Sequence, residues 1–133
     1  MSTPQRERIR QRAEFRCEYC RLPEAATPFI TFHVEHVIAK QHLEDDSLDN
    51  LALACDRCNA FKGPNLSSID PDSHEIVELF HPRRNSWTEH FRFDGPLVVG
   101  LSQTGRATVR LLNMNARRRV DLRQNWLETG NEL

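Results

Sequence analysis

The apolar positions of this chain come in short, interrupted runs whose spacing changes along the sequence. Residues 5–16 have helix-forming composition, with Ile9, Ala13 and Phe15 as a sparse apolar side among arginines, and predict a short basic helix leading into Cys17. "TPFITFHVEHVIA", residues 27–39, is rich in β-branched and aromatic residues. Phe32, Val34, His36 and Ile38 share one alternation and His33, Glu35 and Val37 the other, which predicts a strand. "KQHLEDDSLDN" is polar and turn-like, and "LALAC" predicts a second short strand running into a cysteine pair. A helix starting near Cys58 must stop or kink by Gly63, Pro64 and Pro71. "HEIVELFHP" and "HFRFDGPLVVGL" read as two further strands separated by "RRNSWTE". From Thr104 the pattern is helical, with Thr104 or Asn115 as N-caps and Val120, Leu122, Trp126 and Leu127 as a partial apolar face. The fold class expected is small α+β, without internal repeats or a low-complexity linker.

Composition adds scale and compartment. At 133 residues and 38% hydrophobic content the chain is one domain's worth, with a modest core that any cross-link would help. No apolar run approaches a membrane span and "MSTPQRERIRQR" lacks the apolar stretch of a secretory signal, so a soluble cytoplasmic protein with no membrane partner is expected. In a reducing compartment the pairs Cys17-x-x-Cys20 and Cys55-x-x-Cys58 argue for zinc over disulfides, a redox pair or free buried cysteines being the alternatives. Four thiolates around one Zn²⁺ leave no open position, so such a site is structural and chemistry must come from elsewhere. The net charge of −1 is not a nucleic-acid footprint by itself. Arginines nevertheless crowd the N-terminal segment and recur at Arg83, Arg84 and Arg92 and at 117–119 and 123, apart from the acids of 44–49 and 70–78, which leaves room for a DNA-facing side.

Between the cysteine pairs lies "HVEHVIAKQH", three histidines and a glutamate in ten positions. Histidines at strand ends are often hydrogen-bonded structural residues, and His33 and His42 taken singly fit that reading. A second reading is the nucleobase-deaminase signature H-x-E followed by P-C-x-x-C. His33-Val34-Glu35 and Cys55-x-x-Cys58 match it in part, with Ala54 where proline belongs and Cys17 and Cys20 left without a task.

The third reading joins Glu35-His36 to Asn50 and to Asn59 within "CDRCNAFKG". Together with "CEYC", "FHVEHVIAKQH" and "DNLALACDRCNAFKG", these residues resemble the HNH endonuclease family in its four-cysteine, zinc-bearing form. "LFHPRRNSWTEHFRFDGP" and "GRATVRLLNMN" are similar to the extension of stand-alone bacterial members, so the resemblance runs over roughly residues 15–127. The chain departs from the commoner pattern in three ways. "HLEDDSLDN" replaces a Gly-Gly loop, as in the HNH domain of RNA-guided CRISPR nucleases; Asn59 stands for the last histidine; and Glu35 replaces the more frequent aspartate.

The resemblance implies a ββα-metal core, with residues 1–133 as a single HNH endonuclease domain. It divides into a basic N-terminal helix (1–16), a zinc-bound core (17–66) and a C-terminal extension (74–133). It implies a DNA endonuclease, nicking or double-strand cutting, with His36 as general base, Asn50 orienting it, and Glu35 and Asn59 binding a catalytic Mg²⁺ or Mn²⁺ separate from the structural zinc. Lys62, Arg83 and Arg84 are candidate DNA contacts. Adjacent strand residues point to opposite faces, so Glu35 and His36 can serve one phosphate only if the strand ends or bends, which is expected near Ile38. The rival from another class is a non-catalytic zinc-stabilised nucleic-acid-binding module on the same scaffold. No oligomeric interface is legible in the sequence.

Overall fold

The computed structural model describes residues 1–133 as helices alternating with three separate two-stranded antiparallel sheets, an α+β arrangement. Helix α1 spans Thr3–Arg12 and starts on a capping box: the Ser2 hydroxyl accepts from the Gln5 amide while the Gln5 side chain accepts from the Ser2 amide. It buries only Ile9, with Ala13 just past its end. β1 (His33–His36) pairs with β2 (Leu51–Ala54), Glu35 opposite Ala52 and His36 opposite Leu51, and α2 (Asp56–Lys62) follows β2 at once. Gly63, at φ +50°, ends α2 in a conformation that side chains disfavour.

β1 is shorter than the alternation over 27–39 suggests. The four residues of β2 supply a ladder only that long, and the chain bends at Val37–Ile38. All four β2 residues are buried, whereas of β1 only Glu35 is, so β2 is the inner strand of the hairpin.

The C-terminal half adds two hairpins and two helices. β3 (Ser67–Ile69) pairs with β4 (Ile76–Glu78), and β5 (Phe91–Asp94) pairs with β6 (Leu97–Gly100) after the short helix α3 (Trp87–His90). Strand β3 falls in a stretch whose glycine and prolines mark only a break. "HFRFDGPLVVGL" forms a whole hairpin turning at Gly95, φ +56°. α4 (Gln103–Leu111) is capped by Ser102, not Thr104, and lies close on the last hairpin: a Cβ on Gly105 would stand 2.1 Å from the His90 carbonyl oxygen. Asp70, fully buried, ties β3–β4 to α4 by accepting from Nε and Nη2 of Arg106, both at 2.9 Å.

α5 (Arg117–Glu128) corrects the expected apolar face. Its buried residues are Arg119 and Arg123, while Val120, Leu122, Trp126 and Leu127 are half-buried. Asn115 does not cap it; its amide bonds both the N–H and the C=O of Val98. One apolar cluster links Ile9 and Ala13, all four cysteines, Leu51 and Leu53, and Phe80, Trp87, Phe91, Leu112 and Met114, so α1, the cysteine region and the C-terminal elements share a core.

Candidate metal centre and catalytic strand

Cys17 and Cys20 bracket a turn after α1, and Cys55 is the N-cap of α2 with Cys58 in its first turn. The four Sγ atoms lie within 4.8 Å of one another, Cys20 and Cys55 at 3.8 Å, and none is in a disulfide. A tetrahedral ion with bonds of about 2.3 Å sets its sulfurs roughly 3.8 Å apart, so the cluster has the dimensions of a zinc site. In each pair the second cysteine's amide faces the first one's sulfur, at 3.5 Å for Cys20 and 3.4 Å for Cys58. Burial pushes the Cys17 and Cys58 thiols up, a cost that a bound cation reverses. The cluster holds no histidine, so the deaminase ligand set His33, Cys55 and Cys58 is not assembled.

The cluster is charge-matched from a distance in sequence. Nη1 of Arg119, 3% exposed, donates to the Cys58 sulfur at 3.2 Å and Nη2 to the Leu112 carbonyl at 2.9 Å. Arg123, wholly buried, donates to the Pro96 and Met114 carbonyls. Zinc with four thiolates carries two net negative charges, and a buried charge needs a partner; these two guanidiniums supply them.

At the other end of the hairpin, β1 terminates at His36, whose Nε2 lies 2.7 Å from Oδ1 of Asp46. A carboxylate only accepts, so Nε2 carries the hydrogen and the lone pair of the neutral ring is on Nδ1. The hydrogen bond from His36 holds the Asp46 carboxyl below its usual range, with Lys40 adding to it. Asn50, buried, braces the intervening loop. Its Oδ1 accepts from the Ile38 amide at 2.9 Å, and its Nδ2 donates to the carbonyls of Ile38 at 3.0 Å and Asp45 at 2.9 Å. One side chain therefore ties the residue two beyond His36 to the residue just before Asp46. Arg12 pins the same region from α1 by donating to the Leu48 and Leu51 carbonyls.

Glu35 turns to the other side of β1 and is 8% exposed. The Tyr19 hydroxyl donates to its Oε1, while Oε2 has no hydrogen bond from the protein and is not sealed from the surface. Burial pushes this carboxyl up to about 7, against the pull of the Lys62 charge. Asn59, half-buried on α2, also has a side chain free of protein hydrogen bonds. The open Glu35 carboxylate oxygen on β1 and the Asn59 amide oxygen on α2 are each the donor type that Mg²⁺ or Mn²⁺ takes, so by donor chemistry each fits the implied ion.

Two candidate DNA contacts have partners within the protein. Lys62 is 2% exposed and donates to the Val37 carbonyl at 2.7 Å, where it buttresses the bend after β1. Arg83 pairs with buried Glu18, which also accepts from the Leu53 amide, and burial pushes this guanidinium down to about 10. Arg84 is exposed with no side-chain partner. His42 Nε2 meets the Pro64 carbonyl at 3.1 Å, closing the loop onto the end of α2; His33 is half-buried and its ring makes no hydrogen bond. Asp46, Glu18 and Tyr19 are the residues the sequence reading missed. Asp46 sat in an acidic run that reads as a solvated face, and Glu18 and Tyr19 lay inside the first knuckle, where nothing in the spacing marks them.

No helix is long and apolar enough to cross a membrane. No curated protein and no solved structure matches the chain. Residues 17–65 match the family model described as HNH endonuclease, and that match takes in the four clustered cysteines, β1, β2 and α2.

Proposed function

We propose that this protein is a metal-dependent DNA endonuclease that hydrolyses phosphodiester bonds, with His36 as general base. The observation that carries the reading is His36 at the end of β1, held through Nε2 by Asp46 with Nδ1 left basic, inside the HNH-matched segment. In this reading β1, β2 and α2 are the ββα unit, the cysteines hold a structural zinc, and residues 74–133 are an extension packed on that unit.

Nδ1 of His36 takes a proton from a water whose oxygen attacks phosphorus. The P–O bond to the 3′ oxygen breaks, and the leaving oxygen is protonated by solvent. The Asp46 carboxylate fixes the ring's tautomer and stabilises the imidazolium that forms. Asn50 holds the loop so that base and carboxylate stay in register. Glu35 and Asn59 would hold Mg²⁺ or Mn²⁺, which when bound neutralises phosphoryl and leaving-oxygen charge.

The test is cleavage of supercoiled plasmid by zinc-containing protein with magnesium, with manganese or with neither, beside His36→Ala. Metal-dependent nicked or linear product that disappears in the variant is expected, with zinc content and the circular dichroism spectrum unchanged. Cleavage surviving in His36→Ala would remove the proposed base. Duplex binding by folded protein with no cleavage under any metal would leave the binding module as the function.

A further inference from the structure

The chain that leaves β1 past His36 walls a cavity of about 310 Å³, formed by Val37 and Ile38 on one side, the end of α2 at Lys62, and the segment after β4. Two basic side chains of that segment line it. Arg84 is exposed and its guanidinium makes no hydrogen bond or ion pair. His81 accepts at Nδ1 from the Arg83 amide, 3.1 Å, so its hydrogen is on Nε2. Burial, then the Arg84 and Lys62 charges, lower the pKa of His81 and keep the ring a neutral donor. The turn is held by hydrogen bonds: the Asn85 side chain accepts from the His81 amide and the Arg84 amide donates to the His81 carbonyl. Glu78 is the only acid in the lining and makes no ion pair. The neighbouring arginines are divided by this turn, Arg83 inward to Glu18 and Arg84 into the cavity.

The geometry points to this cavity as a seat for a backbone phosphate of the nucleic-acid strand, one that flanks the bond reached by His36, with the Arg84 guanidinium as its principal contact and the His81 imidazole as a second donor. The inference rests on the nuclease reading, since it takes a phosphodiester polymer as ligand. One unpaired cation, Arg84, and one neutral N–H donor, His81, are the groups that a single phosphate takes, and the cavity wall is continuous with the residue that follows the proposed base. Phosphate contacts of this kind position the strand and read no sequence.

The experiment is fluorescence anisotropy of a labelled duplex oligonucleotide with zinc-loaded protein and no added magnesium, titrated across potassium chloride for wild type, Arg84→Ala, Arg84→Lys and Arg117→Ala. One lost phosphate contact lowers the slope of log K against log salt by about 0.9. Arg84→Ala should show that loss and several-fold weaker binding at low salt, with the wild-type melting temperature. Arg84→Lys should keep the slope, and Arg117→Ala, a charge removed from the exposed start of α5, should leave it unchanged. In the plasmid assay Arg84→Ala should raise KM far more than it lowers kcat. A wild-type slope in Arg84→Ala, an equal loss in Arg117→Ala, or no duplex binding by the wild type would each overturn the seat. Binding with the expected slope loss but no cleavage would retain the seat and reject the nuclease; cleavage with no slope change would do the reverse.

Discussion

Replacing Asn50 by alanine removes three hydrogen bonds at one buried point. The Ile38 amide loses its acceptor, and the Ile38 and Asp45 carbonyls lose their donor. At about 1 kcal/mol net for each bond the loss is about 3 kcal/mol, and water entering the vacated space returns part of it. With a urea slope of roughly 2 kcal/mol per molar, the unfolding midpoint should fall by about 1.5 M at an unchanged slope. Asn50→Asp separates the bonds: it keeps an acceptor for the Ile38 amide but turns a carboxylate oxygen toward two carbonyls, and should be at least as destabilising as alanine at neutral pH. Plasmid cleavage measured well below the melting temperature should fall in both, because the amide sets the spacing between His36 and Asp46. A midpoint within about 0.3 M of wild type for alanine, or a wild-type midpoint for aspartate, would refute the claim that the two Nδ2 bonds hold this loop.

Arg119→Met keeps the bulk of the side chain and removes the cation beside the Cys58 sulfur. With zinc bound, one of the two net negative charges is left unpaired in the interior, a cost of about 3 kcal/mol or more. Zinc transfer to a colorimetric chelator should quicken and the melting temperature fall; transfer at the wild-type rate would show that Arg119 does not support the centre. The bidentate bond from Arg106, followed by those from Ser73 and the Asp72 amide, holds the Asp70 carboxyl well below its usual range. A depressed folded-state pKa adds stability above the unfolded-state value of about 4, and that stability is lost as pH falls below it. The difference in urea midpoint between wild type and Asp70→Asn should therefore be largest near neutral pH and shrink toward pH 2, and a difference independent of pH would contradict the assignment.

The α+β class, the helix before Cys17, the hairpin of "HVEH" and "LALA" and the helix after Cys55 were legible because each rests on local signals: a cap, a β-branched alternation, a cysteine turn. The four-cysteine cluster was legible for a related reason, since two Cys-x-x-Cys turns each aim two sulfurs at one point once the turns meet. Strand β3 was not legible, because "SSI" has no pattern of its own and is a strand only through its ladder to β4. The burial of α5 was misread because periodicity counts apolar residues, whereas Arg119 and Arg123 are drawn inward by carbonyls and a cysteine sulfur elsewhere in the chain.

Residue types and spacing alone determined which groups could do chemistry: four thiols, an imidazole at the end of a short strand, and amides fourteen and twenty-three positions beyond it. Only the tertiary structure decided which charges remain available. Lys62, Arg83, Arg119 and Arg123 spend theirs inside the molecule on a carbonyl, a carboxylate or a sulfur, while Arg84 keeps its own. The partnership of Asp46 with His36 is likewise a product of folding, since a charge in a polar run acquires a role when packing brings an opposite or hydrogen-bonding group within reach. A sequence records the charge; the distance to its partner exists only after the chain has folded.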